Sequence, residues 1–172
     1  MKNRVILKVL IIIISTLILM LFMLICTVRP LLGSNSLFMP SSKKIENILK
    51  QDKNAFILAK EYFLDIQHEA RWESISPDVV TYYCENTNGG IEKIDTTIES
   101  YDLLQSMQIL KDNNVEVISK HNNYVEFSLW SSLDSSCGLI YCGSEPIIDE
   151  DGQTKLTELS LAHWYYYKHF AD

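Results

Sequence analysis

The side chains of this chain best suited to nucleophilic chemistry are three thiols, Cys84, Cys137 and Cys142, and three imidazoles, His121, His163 and His169. A cysteine acts as a nucleophile through its thiolate, with a base in hydrogen-bond reach and surroundings that favour the charge. No cysteine here is joined to a histidine by a recurring spacing, so no local motif assigns that chemistry. Metal chemistry has no better footing. His68-Glu69 lacks a second histidine one helical turn on, so the H-E-x-x-H zinc pattern is absent. Asp149, Asp151, Gly152 and Glu158 match positions of a calcium loop, but Ile147 stands where its first carboxylate belongs. Cys137 and Cys142 do not have zinc-knuckle spacing. Phosphate-cradling glycine loops and the G-x-S-x-G nucleophile turn are missing. No catalytic residue, metal or cofactor is therefore expected.

The aromatic end of the chain, Trp164, Tyr165, Tyr166 and Tyr167, is the candidate ligand surface. Tyr and Trp offer large rigid contact area with a polar tip. In a strand, Trp164, Tyr166 and Phe170 face one way, and Tyr165, Tyr167 and His169 the other. One set is expected to pack on helices, leaving the other for recognition. Strand propensity alone also accounts for such residues. Among the thiols, Cys137 and Cys142 are five positions apart and point to opposite faces of a strand. A disulfide between Cys84 and one of them is thus the more plausible bridge, with three partly buried free thiols as the alternative.

These residues must be positioned by the segments around them. Apolar positions from Ile45 to Ile66 follow a helical stripe, which predicts a helix from Lys43 to Glu69. The polar patch Gln51 to Asn54 is expected to interrupt it, with Asp52 capping a second segment. Val79 to Cys84 is β-branched and aromatic, hence a strand, and Ile91 to Ile94 is weakly extended. Thr96-x-x-Glu99 fits a capping box that starts a second helix, ending near Asp112. Val115–Lys120 and Tyr124–Trp130 read as a hairpin, followed by Cys137–Cys142 and by a last strand, Trp164 to Phe170. The expected class is α+β: two helices packed on a mostly antiparallel sheet of about four strands. Helices on a curled antiparallel sheet occur in cystatin-like and nuclear-transport-factor-like folds.

Ahead of this domain runs Val9 to Val28, twenty residues without a charge. Twenty residues of helix match a hydrocarbon core of roughly 30 Å. Lys2, Arg4 and Lys8 precede the run, and Arg29 and Pro30 close it. A signal peptide has a shorter apolar core and small residues at its cleavage site, neither of which is present. The expectation is a transmembrane helix over 9–28 with the lipid bilayer as its partner. The N-terminus, 1–8, is then cytoplasmic, 29–42 is a linker, and 43–172 is an extracytoplasmic domain. From Arg29 on, 12 basic residues face 22 acidic ones, a net −10, which speaks against nucleic acid as a partner.

The short apolar run, a helix bearing Phe56-Ile57-Leu58-Ala59-Lys60-Glu61-Tyr62, a hairpin, then Gly138-Leu139-Ile140-Tyr141 and the W-Y-Y-Y end form a recognisable layout. It resembles small single-span membrane proteins of Gram-positive bacteria, a resemblance that implies a layout and no activity. The function expected is a membrane-anchored, outward-facing binding or interaction module of unknown ligand, with a protein or peptide among the partners it could take. A surface hydrolase-type enzyme and an accessory or immunity-like subunit of a membrane complex are the alternatives.

Overall fold

The computed structural model describes residues 15, 16, 20, 39–85, 89–132, 135–143 and 153–170. The chain divides into two units, Met1–Leu37 and Phe38–Asp172. In the first, Ser15, Thr16 and Met20 are described, and they are helical. The rest of the expected transmembrane helix lies outside the described residues. Among the described residues, no helix is long and apolar enough to cross a membrane. The fold class drawn from the sequence therefore needs correction. The described architecture is three helices on one sheet of eight strands, not a transmembrane helix followed by two helices and about four strands.

The second unit runs α1 (Ser42–Gln51), α2 (Lys53–Asp65), β1 (Glu69–Glu73), β2 (Val79–Glu85), β3 (Ile91–Thr97), α3 (Tyr101–Asp112), β4 (Val117–Lys120), β5 (Tyr124–Ser131), β6 (Ser135–Cys142), β7 (Thr154–Glu158) and β8 (Trp164–Phe170). The strands form one sheet in the order β3-β2-β1-β4-β5-β6-β8-β7, and every pairing is antiparallel. α+β is thus the right class, with twice the expected number of strands.

The break between α1 and α2 falls at Asp52, as expected, but through its backbone. Its N–H closes α1 on the Ile48 carbonyl at 3.1 Å, and its own carbonyl accepts from Ala55 and Phe56 to start α2. Its carboxylate does not cap. It accepts instead from Asn113 Nδ2 at 2.9 Å, tying this corner to the end of α3. Ser41 caps α1 by accepting from the Lys44 N–H. Just ahead, two residues of the expected linker are docked on the domain: Met39 is buried, and the Tyr166 hydroxyl donates to the Pro40 carbonyl at 2.6 Å.

Three local expectations fail for identifiable reasons. Glu69–Glu73 is a strand, not the end of a helix: Ala70 and Trp72 are buried while Glu69, Arg71 and Glu73 turn outward, a period of two hidden in helix-forming residue types. Thr96-x-x-Glu99 is no cap. β3 runs through Thr97, and Ser100 caps α3 by accepting from the Leu103 N–H. β7 was not expected, and it covers the flank of β8.

One face of the sheet carries the helices. Phe56 of α2 meets Phe127 of β5 edge-on at 5.3 Å and Trp164 of β8 at 6.1 Å. Around this aromatic centre Ile45, Leu49, Phe63, Trp72, Ile118 and Leu139 are fully buried. Each such side chain contributes about 1.5–3 kcal/mol relative to exposure. A register shift between Ser128 and Trp130 makes Leu129 the extra residue of a β-bulge. The bulge bends β5 and puts Trp130 opposite Cys137, on the helix-bearing side with Phe127 and Leu139.

Candidate functional site

The other face of the sheet gathers the polar groups. Following the register across it, Arg71 stands opposite Ser119, Ser119 opposite Glu126, Glu126 opposite Ile140, and Ile140 opposite Tyr165. With strands about 4.8 Å apart, this row from β1 to β8 is about 19 Å long, the length of an extended peptide of roughly six residues. Its middle is Glu126. One carboxylate oxygen accepts from the Tyr167 hydroxyl at 2.7 Å, and the other lies 3.9 Å from His121 Nε2. His121 stacks on Tyr124, ring centres 4.4 Å apart. At the β1 end, Arg71 Nε donates to Glu73 Oε1 at 2.8 Å. At the other end of the same face, His169 Nδ1 is 3.1 Å from the Thr154 hydroxyl.

Tyr167 is the unusual member, because it is 3% exposed on a face whose neighbours are polar. It lies over Gly138, its register partner on β6: a β-carbon at Gly138 would stand 3.0 Å from Tyr167 Cε1 and 1.9 Å from the Phe127 carbonyl oxygen. Burial raises the Tyr167 hydroxyl well above its ordinary pKa, and the Glu126 charge and hydrogen bond push the same way. Ser128 and Ser136 hydroxyls also reach it. Tyr167 is therefore a fixed hydrogen-bond donor to Glu126 at any physiological pH, not a base.

The helix-bearing face holds a second polar group. The Tyr62 and Tyr82 hydroxyls share a hydrogen bond of 2.9 Å, and burial first, then Tyr82, raises the pKa of Tyr62. Lys60 Nζ sits 4.6 Å from the centre of the Tyr141 ring. Lys120 is 8% exposed and falls between Ala70 and Val125 in the register, so its stem is packed in the sheet.

Each residue singled out from the sequence can now be placed. Trp164, Tyr166 and Tyr167 are buried, and Tyr165 alone of the four is partly open to solvent. Their alternation is as expected, Trp164 and Tyr166 toward the helices and Tyr165 and Tyr167 away from them. Cys84, Cys137 and Cys142 are not joined in a disulfide. Cys84 is on β2 and the other two are on β6, four strand spacings away, about 19 Å along the sheet. Neither Cys84–Cys137 nor Cys84–Cys142 is bridged, since a disulfide needs Cα atoms within about 7 Å. Burial pushes the Cys137 thiol up to about 11, and the Cys142 thiol points to the Asn123 carbonyl oxygen at 3.6 Å. Of the histidines, His121 faces Glu126, His169 faces Thr154, and His163 stands edge-on to Tyr141 at 6.2 Å. Among the described residues, no group of histidines, cysteines and carboxylates is arranged to hold a metal ion. The partial calcium-loop match at Asp149, Asp151 and Gly152 lies outside the described residues.

Sequence reasoning did not find Glu126, Arg71 or Tyr124. The signal was present at Glu126: an acidic residue in a strand whose alternate positions, Val125 and Phe127, are apolar must face outward. No protein-family model, curated protein or solved structure matches this chain.

Proposed function

We propose that this protein is a membrane-associated binding module, held outside the cytoplasmic membrane through bilayer contact of residues 9–28, whose domain recognises a protein or peptide along the outward sheet face. One observation carries the choice of binding over catalysis: two of the groups that could carry chemistry, Tyr167 and Cys137, are buried in their protonated forms. Tyr167 stays protonated against Glu126, and Cys137 is buried with its thiol pushed up to about 11. What remains on the outward face is recognition chemistry. It offers a cation at Arg71, a carboxylate at Glu126, an aromatic edge at Tyr165 and a stacked His121–Tyr124 pair. The uncharged run and its basic flank support the bilayer contact.

The test uses the full chain in detergent micelles against arrays of extended peptides of defined charge, read by tryptophan fluorescence. A peptide class should bind to the parent chain and lose at least about tenfold in affinity with Arg71→Ala or Glu126→Gln, both on the outward face. Turnover of ester, peptide or glycoside reporters that disappears with His121→Ala would overturn the reading in favour of a hydrolase.

A further inference from the structure

β3 is an edge strand, and all seven of its residues are exposed. Edge strands in monomeric proteins are usually short, covered, or blunted by charge. β3 is neither short nor covered among the described residues. Its charges also have an order. The strand reads Ile91-Glu92-Lys93-Ile94-Asp95-Thr96-Thr97, so Lys93 and Asp95 flank Ile94 symmetrically.

The phase of its backbone is fixed by the pairing with β2. Ile98 N–H donates to the Asp78 carbonyl at 2.8 Å, one step beyond the Val79–Thr97 pair. Ladder bonds alternate along an antiparallel pair. Thr96, Ile94 and Glu92 therefore turn their backbone groups toward β2. Ile91, Lys93, Asp95 and Thr97 turn theirs to the open edge.

We propose that two copies of this chain join β3 to β3, antiparallel, about a two-fold axis at Ile94. In this register Lys93 of one copy lies opposite Asp95 of the other, twice. Those residues have the outward-turned N–H and C=O groups, so the ion pairs coincide with the hydrogen-bonded pairs of the new ladder. Ile91 and Thr97 form the next such pairs. At the axis the two Ile94 side chains meet in a non-hydrogen-bonded pair, where side chains come closest. Ile94 is 45% exposed, and the contact would cover that apolar surface. A shift of the axis to Lys93 places two lysines opposite each other, and a shift to Asp95 places two carboxylates opposite each other. The charge order thus selects one register and rejects its neighbours. The overall charge of −7 opposes association at long range. Near physiological ionic strength that repulsion is screened beyond about 8 Å, while the facing pairs act at contact. This surface is distinct from the outward-face row and does not depend on the binding proposed for it.

The experiment is sedimentation and oxidative cross-linking of the full chain in detergent micelles. Lys93→Asp and Asp95→Lys each put like charges opposite each other twice, and each should weaken the dimer about tenfold. The double variant Lys93→Asp/Asp95→Lys restores both pairs and should return affinity to within about twofold of the parent. Ile94→Cys should give a disulfide-linked dimer under mild oxidation, above the level of the parent cysteines. Ile91→Cys should not, because its two copies stand about 20 Å apart in this register. A parent chain that stays monomeric at about 0.1 mM overturns the proposal. So does a dimer unmoved by either single charge reversal, or one that Ile91→Cys links as readily as Ile94→Cys.

Discussion

Gly138→Ala places one methyl group where the sheet has no room for it. The added β-carbon would lie 1.9 Å from the Phe127 carbonyl oxygen, 2.9 Å from its carbon and 3.0 Å from Tyr167 Cε1. An ordinary carbon–oxygen contact is about 3.3 Å, so β5 and β6 must part by more than about 1 Å at this point. The obstacle is backbone, which cannot rotate away as a side-chain tip can. Overpacking of this kind costs about 1–3 kcal/mol. One or two ladder hydrogen bonds stretched beside it add about 0.5–1.5 kcal/mol each. Tyr167 must also shift from its place over Gly138. The expected loss is about 3–5 kcal/mol, a large share of the 5–15 kcal/mol typical of a domain. The assay is urea unfolding of the full chain in micelles, followed by tryptophan fluorescence, with Tm as a second readout. Tm should fall by about 10 °C or more. Gly143→Ala is the internal control, since its β-carbon meets nothing within 4 Å; it should change stability by less than about 0.5 kcal/mol. If Gly138→Ala also stays within about 0.5 kcal/mol of the parent, the close approach of β5, β6 and Tyr167 is wrong.

Three further outcomes follow from the same geometry. Tyr167→Phe removes the hydroxyl bonded to Glu126 and should cost about 1–2 kcal/mol near neutral pH in urea unfolding. Because the folded pKa of Tyr167 is raised above 10, its favourable burial is intact below pH 10 and is lost as pH climbs toward the folded value. The variant should therefore show a shallower alkaline fall in Tm. Glu46 behaves in the opposite sense. Its hydrogen bonds from Lys50 and then Ser160 lower its pKa from 4.5 to about 2, so its stabilisation is full above pH 4.5 and disappears as pH drops toward 2. Glu46→Gln should flatten the acid limb of Tm across that window. Finally, brief alkylation with iodoacetamide at pH 8, read by mass spectrometry, should modify Cys84 ahead of Cys137, since Cys84 is partly exposed and Cys137 is buried with a raised pKa.

The fold was legible where periodicity and composition agreed. The β4–β5 hairpin, β6 and β8 fall within a residue or two of their expected limits, because β5 alternates apolar and polar residues and β6 and β8 are short runs rich in aromatic and apolar residues that favour strands. β1 was not legible. Its sequence E-A-R-W-E is built from helix-tolerant residues, and it becomes a strand only because β2 and β4 flank it. β7 escaped for a related reason. Thr-Lys-Leu-Thr-Glu has one apolar residue, and the edge it occupies asks for no more. The aromatic end shows the limit for site residues. Alternation correctly divided its two faces, but burial of Tyr167 on the outward one depends on the absent side chain of Gly138, two strand positions of information that no local window joins. Glu126 gains its place from the same long-range pairing.

The bond from the Tyr166 hydroxyl to the Pro40 carbonyl also determines how the domain carries load. Tension arriving along the chain from its N-terminal side reaches Met39 and Pro40 before it reaches α1. There it passes into β8, which is laced to β6 on one side and to β7 on the other. A pull that would otherwise peel α1 off turn by turn is shared with two ladders of backbone hydrogen bonds. The first described residues of the domain and its last strand thus act as a buckle, closed by one hydrogen bond across 126 positions of sequence.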